Sequence, residues 1–183
     1  MSSKTKIAVA TLGVVLVLAV IGLTIGLVLV ASQGVVTNSM TVTYSATNVA
    51  CTISAEAYHY DREDTKGAAV EANGSTSVTF NAGDKTAAGT ISFKEAQITD
   101  NGEGYVLYTF TITNAATAEK AIKAVASEPT AGTNMTVTVD DSGAANIAAA
   151  GGTGTITVKV EVTDSNASAT WTEAALTITV TQA

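Results

Sequence analysis

The sequence predicts an all-β protein: an antiparallel β-sandwich of eight or nine strands, jelly-roll or immunoglobulin-like, preceded by one N-terminal hydrophobic helix. Three observations predict it. Apolar residues recur at every second position in run after run, as in Thr155-Ile156-Thr157-Val158-Lys159-Val160-Glu161-Val162-Thr163, which gives one apolar face and one wet face. Clusters of Gly, Asn and Asp separate these runs at the spacing of antiparallel turns. Residues 7–31, IAVATLGVVLVLAVIGLTIGLVLVA, contain no charge at all.

The N-terminal stretch comes first in chain order. At about 1.5 Å of rise per residue its helix would be roughly 37 Å long, enough to cross a hydrocarbon core of about 30 Å. That length exceeds the usual core of a cleavable signal and favours a span that persists. Val30-Ala31-Ser32 is nonetheless a small-residue cleavage site, which leaves processing before Gln33 as the alternative. Lys4 and Lys6 precede the run, and no charge follows until Glu56, so the N-terminus is expected in the cytoplasm and the remainder outside. Within the run, Gly22 and Gly26 have the GxxxG spacing that lets two membrane helices approach. The expected organisation is a cytoplasmic N-terminus at 1–6, a transmembrane helix or signal sequence at 7–31, a linker or strand extension at 32–39, and an extracellular sandwich at 40–183.

The strands follow. Met40-Val42-Tyr44, Cys51-Ile53-Ala55, Met135-Val137-Val139 and Leu176-Ile178-Val180 each alternate with Thr, Ser or another small residue. Tyr105 to Thr113 differs, because Val106, Tyr108, Phe110 and Ile112 line one face while Leu107 adds apolar surface to the other. That is the pattern of a central strand. Turn signals stand at Asn73-Gly74, Ala82-Gly83-Asp84, Asp100-Asn101-Gly102, Asp140-Asp141-Ser142-Gly143, Gly151-Gly152 and Asp164-Ser165-Asn166. Ala115 to Ala126, rich in Ala, Glu and Lys, is where a helical turn is expected. Phe110 and Trp171 are the expected core anchors, with an exposed binding contact as the alternative for Trp171, which lies near a turn.

Chemistry-bearing residues are few. Cys51 and His59 are the single residues of their kind, and eight positions along one strand set them roughly 26 Å apart, too far to share a metal or act as a dyad. No HExxH, GxSxG or phosphate-binding glycine loop occurs. The chain is therefore expected to be no enzyme and to need no cofactor. Sixteen acidic residues face seven of the nine basic ones in the exported part, which argues against nucleic acid as a partner. The densest polar and aromatic stretch is Tyr58-His59-Tyr60-Asp61-Arg62-Glu63-Asp64. It reads either as a binding loop, with Asp61, Glu63 and Asp64 for a cation or Tyr58 and Tyr60 for a sugar, or as a strand end running into a solvated turn. The expected partners are the membrane, through residues 7–31, and other copies of the chain in an oligomer or fibre.

Three stretches, Thr41-Val-Thr-Tyr-Ser-Ala-Thr-Asn-Val49, Val78-Thr-Phe-Asn-Ala-Gly-Asp84 and Tyr108-Thr-Phe-Thr-Ile-Thr-Asn114, resemble small exported β-sandwich proteins of Firmicute-like bacteria, loosely the TasA/camelysin group of biofilm-matrix proteins. That resemblance implies a jelly-roll-like sandwich, a cleaved signal and fibres in which an N-terminal strand completes the next subunit. The strand-addition segment would then include Gln33, Val35, Val36, Met40 and Val42. Ser32 to Ser39 reads SQGVVTNS, without the aromatic segment often found there in that group. A third reading is an archaeal-type pilin, although Lys6-Ile7 stands where such proteins place a glycine before the apolar run.

Overall fold

A computed structural model describes residues 34–44, 49–84, 87–98, 104–163 and 170–183. The expected helix at 7–31, with Gly22 and Gly26, lies outside them, as do Gln33 and the turns at 100–102 and 164–166. Among the described residues no helix is long and apolar enough to cross a membrane.

The described chain is all-β. Its strands are β1 (Gly34–Tyr44), β2 (Cys51–Tyr60), β3 (Lys66–Ala69), β4 (Ser77–Phe80), β5 (Ala87–Ser92), β6 (Ala96–Ile98), β7 (Tyr105–Asn114), β8 (Ile122–Ala126), β9 (Met135–Asp140), β10 (Thr153–Val162) and β11 (Thr170–Gln182). Eleven strands thus replace the expected eight or nine, the additions being short pieces that turn signals alone did not separate. One sheet runs β5-β1-β11-β8, with β6 also on β1; the other runs β3-β2-β7-β10-β9, with β4 also on β2. The expectation of a wholly antiparallel sandwich needs one correction. β1 and β11 pair in parallel, from Val35↔Thr170 to Tyr44↔Val180. These strands lie at opposite ends of the domain sequence, so no hairpin imposes an antiparallel sense on them.

Period-two alternation explains which residues enter the core. In β7, Val106, Tyr108, Phe110 and Ile112 are fully buried, as are Ile156, Val158 and Val160 of neighbouring β10. β7 lies between β2 and β10, as its two-sided apolar pattern predicts. Size complementarity is visible in the register: the small Ala55 and Ala57 of β2 stand opposite Phe110 and Tyr108, leaving room for the two rings. Phe93 meets Tyr108 edge-on at 5.2 Å between ring centroids. The outward positions are mostly Thr, which favours extended backbone without adding a large apolar surface.

The first strand begins six residues before position 40, where the sequence places the domain boundary. Val36 and Val42 of β1 are both fully buried, each worth about 1.5–3 kcal/mol of apolar burial. Residues 34–39 are thus paired in the sheet, as the strand-extension alternative for 32–39 has it.

Both open sides of the sandwich are laced. On one, the Asn73 amide donates to the Ser92 carbonyl at 2.9 Å and the Lys94 amide to the Glu71 carbonyl at 2.7 Å. Gly89 of β5 allows Val78 of β4 to pack where a Cβ would stand. On the other side, Ile122 and Ile147 exchange backbone hydrogen bonds of 3.0 and 2.7 Å, and Ala126 N–H reaches Asp141 Oδ2 at 3.4 Å. The expected helical turn within 115–126 is instead a loop with one turn, Ala118 N–H to Ala115 C=O, followed by β8. The side chain of Trp171 is not among the features the structure describes.

Two substitutions test this packing. Phe110→Ala should cost about 3–5 kcal/mol through lost burial and an unfilled cavity, whereas Thr157→Ala on the outer face should stay within about 0.5 kcal/mol. Equal thermal stability of the two would invert the assigned faces. Tyr108 Oη is buried without a hydrogen-bond partner among the described residues. Tyr108→Phe should therefore match or exceed the parent in chemical denaturation, by up to about 1 kcal/mol, since it removes a desolvated hydroxyl.

Candidate binding surface

The Tyr58 to Asp64 stretch lies where β2 leaves the sheet and β3 returns along it. Alternation puts Cys51, Ile53, Ala55 and Ala57 into the core, so Tyr58 and Tyr60 fall on the outer face. The turn between the strands is built by Asp61. Its Oδ1 accepts the backbone N–H of Glu63 at 3.0 Å and that of Thr65 at 2.7 Å, an Asx-type closure. Asp64 adopts φ +61°, a left-handed conformation that Asp tolerates better than most residues.

This turn is folded against the outer face of the sheet by aromatic contacts. Tyr60 stacks on Tyr105 of β7, with centroids 4.9 Å apart and ring planes 1° from parallel. The two residues are directly paired across β2 and β7, so the ring separation is close to the strand separation. Tyr105 Oη donates to Asp64 Oδ1 at 2.9 Å. Lys159 Nζ lies 4.2 Å from the Tyr105 ring centroid and 3.2 Å from Glu161, while Lys66 Nζ covers Tyr58 at 3.3 Å. Burial, then the hydrogen bond and negative charge of Asp64, push the Tyr105 phenol up to about 12.

Of the residues expected to bind, Tyr58, Tyr60, Asp61 and Asp64 are thus brought into one corner, but each is engaged by a neighbour in the chain. Glu63 pairs with Arg62 at 3.4 Å. The three carboxylates turn to three different partners, and among the described residues no three His, Cys, Asp or Glu side chains gather as a metal set. The adjoining cleft, lined by His59, Tyr60, Asp61, Thr65, Lys66, Gly67, Ile98 and Gly104, holds about 180 Å³. That is below the usual range for a small-molecule pocket, about 300–1,000 Å³. His59 borders this cleft with its imidazole pKa lowered by burial. Cys51 is buried at the far end of the same strand, its thiol pushed up to about 11 by desolvation, and so is held as an unreactive thiol at neutral pH.

Tyr105 and Lys159 belong to this corner without having been singled out in the sequence, whereas Lys66, expected with Arg62 to neutralise the carboxylates, lies over the Tyr58 ring. The available signal was the outward parity of Tyr105 and Leu107 on an otherwise Thr-lined face. The other end of the sandwich holds a second feature that sequence reasoning missed. Asn114, 1% exposed, donates from Nδ2 to the carbonyls of Lys120 at 2.9 Å and Ala148 at 3.0 Å. It ties the loop after β7 to the loop before β10 beneath two shallow depressions of about 270 and 430 Å³. Its Oδ1 has no partner among the described residues and is itself sealed from solvent. The strand-addition residues Val35, Val36, Met40 and Val42 are all in β1, paired within the chain's own sheet.

No family model matches the chain, and no curated protein matches it. Among solved structures, the pilus-presented adhesin Spy0125 (Cpa) is similar over 79% of this chain at 14% identity with a TM-score of 0.26; this chain spans only 27% of that structure's length. IP-1A from Alcaligenes faecalis is similar at 10% identity over 79% of this chain and 91% of its own, with a TM-score of 0.25. These are weak likenesses to other β-rich chains and carry no argument about function. The TasA/camelysin resemblance accordingly rests on its three short stretches alone.

The Tyr105–Asp64 bond has a signed pH consequence. A phenol whose folded pKa lies above the usual value of about 10 contributes stability in full below pH 10 and loses it as pH rises toward 12. Tyr105→Phe should cost about 1 kcal/mol at pH 8, and denaturant titrations at pH 11.5 should show that gap narrowed. A gap unchanged between the two pH values would mean the phenol proton plays no part.

Proposed function

We propose that this chain is a non-enzymatic cell-surface β-sandwich protein with a structural or binding role, held at the membrane by its N-terminal apolar segment. The observation that carries this reading is a juxtaposition. The apolar run ends at Ala31, and the strand that lies in the middle of a folded sheet begins at Gly34. Only Ser32 and Gln33 separate them in the sequence. The buried Cys51 thiol, the single histidine and the internally paired carboxylates support a role without catalysis. The acidic balance supports partners other than nucleic acid. Intact-mass analysis of the protein from the cell envelope should find residues 1–32 retained. A mature chain starting at Gln33 would overturn the anchor.

A second reading is an extracellular fibre subunit that polymerises by N-terminal strand addition after cleavage. It is favoured by the position of β1, an end strand in sequence that occupies a slot flanked on both sides, by β11 and by β5 with β6. The same segment of another copy would fit that slot. Thr43 and Thr179 are register partners across β1 and β11, so a Thr43→Cys, Thr179→Cys chain lacking Cys51 distinguishes the two arrangements. Disulfide-linked ladders on a non-reducing gel indicate exchange between chains. A cross-linked monomer indicates a strand kept at home.

A further inference from the structure

We propose that β1 and β11 form a mechanical clamp, which lets the domain bear tension applied between the leading end of β1 and the trailing end of β11. The inference begins from the direction of the pair. Because the strands are parallel, Val35 stands beside Thr170 and Tyr44 beside Val180. The leading end of β1 and the trailing end of β11 therefore leave the pair at opposite ends. Tension between them draws β1 one way and β11 the other along their shared axis.

Geometry decides how the bonds share that load. A force across a ladder opens it from one end, so that each bond fails in turn. A force along the ladder strains every bond together, and none yields until many do. Here the loaded ladder is long, with nine registered residue pairs interrupted by one irregularity between Asn38 and Met40. Neither strand is a free edge. β1 is also held by six pairs to β5 and three to β6, both antiparallel to it, and β11 is backed by five pairs to β8. Withdrawing β1 along its axis shears the ladders on both of its sides at once. It also drags the fully buried Val36 and Val42 out of the core, and pulling β11 does the same to Leu176, Ile178 and Val180. Apolar side chains cannot slide one position without turning the wrong face inward, since the side-chain period is two.

The use of such a clamp at a cell surface rests on the anchored reading above, but its strength does not, and the two fail separately. The full 183-residue chain in detergent micelles is stretched by optical tweezers in two geometries, both chains carrying Cys51→Ala. In the first, handles are attached at Met1 and Ala183, and the load runs along the ladder. In the second, the C-terminal handle moves to a thiol at Thr170→Cys, beside the start of β1, and the load runs across it. Equal thermal unfolding of the two chains is checked beforehand. At the same loading rate the first geometry should unfold at a force at least twofold higher. Equal forces, or a lower force in the first geometry, would overturn the clamp while leaving the intact-mass result for the anchor untouched.

Discussion

The pairing of β1 with β11 is the constraint on which the rest of the architecture depends. It joins residues near the two ends of the domain, and β1 in turn carries β5 and β6 on its other edge. Without β1 the first sheet separates into the β11–β8 pair and two short strands that have lost their ladder partner. The inner face of that sheet supplies the opposing side of the core against which β2, β7 and β10 pack. Closing so long a loop costs conformational entropy before any contact repays it, and the first sheet cannot be completed until the final strand has been made.

The two lateral seams solve a problem common to sandwiches, whose outermost strands expose unpaired backbone groups. β8 is screened by the segment around Asp141 to Ile147, which takes up backbone groups at Ile122 and Ala126. The opposite seam is closed by residues 71–73 bonding to 92–94, reinforced by the Lys94–Glu71 ion pair. That ion pair is exposed on both partners, so its contribution is small beside that of the backbone bonds it accompanies.

The aromatic corner shows why a binding-like composition does not by itself make a binding site. Tyr58, Tyr60, Asp61, Glu63 and Asp64 have the groups that ligands use, but nearby residues meet those needs first. Asp61 closes its own turn, Tyr105 takes Asp64 and the face of Tyr60, and Lys66 covers Tyr58. Composition announced a polar, aromatic cluster at this point in the chain. Lys159 and Tyr105 come from strands separated from it by at least forty positions, and their arrival is a matter of register.

Much of the inner and outer assignment was legible in the sequence because a strand's alternation is local. The parity of Val106, Tyr108, Phe110 and Ile112 marks one face whatever strand lies alongside, and the excess apolar residue at Leu107 marks β7 as flanked on both sides. The same is true of turns such as Ala82-Gly83-Asp84, where Gly83 takes a φ of +97° that a side chain would resist. Alternation specifies a face but not a neighbour. The parallel seating of β1 on β11, the inclusion of residues 34–39 in the sheet, and the stack of Tyr60 on Tyr105 were decided only by tertiary structure. Each depends on which distant strand supplies the missing backbone partners, and that choice is made by the packing of the whole core.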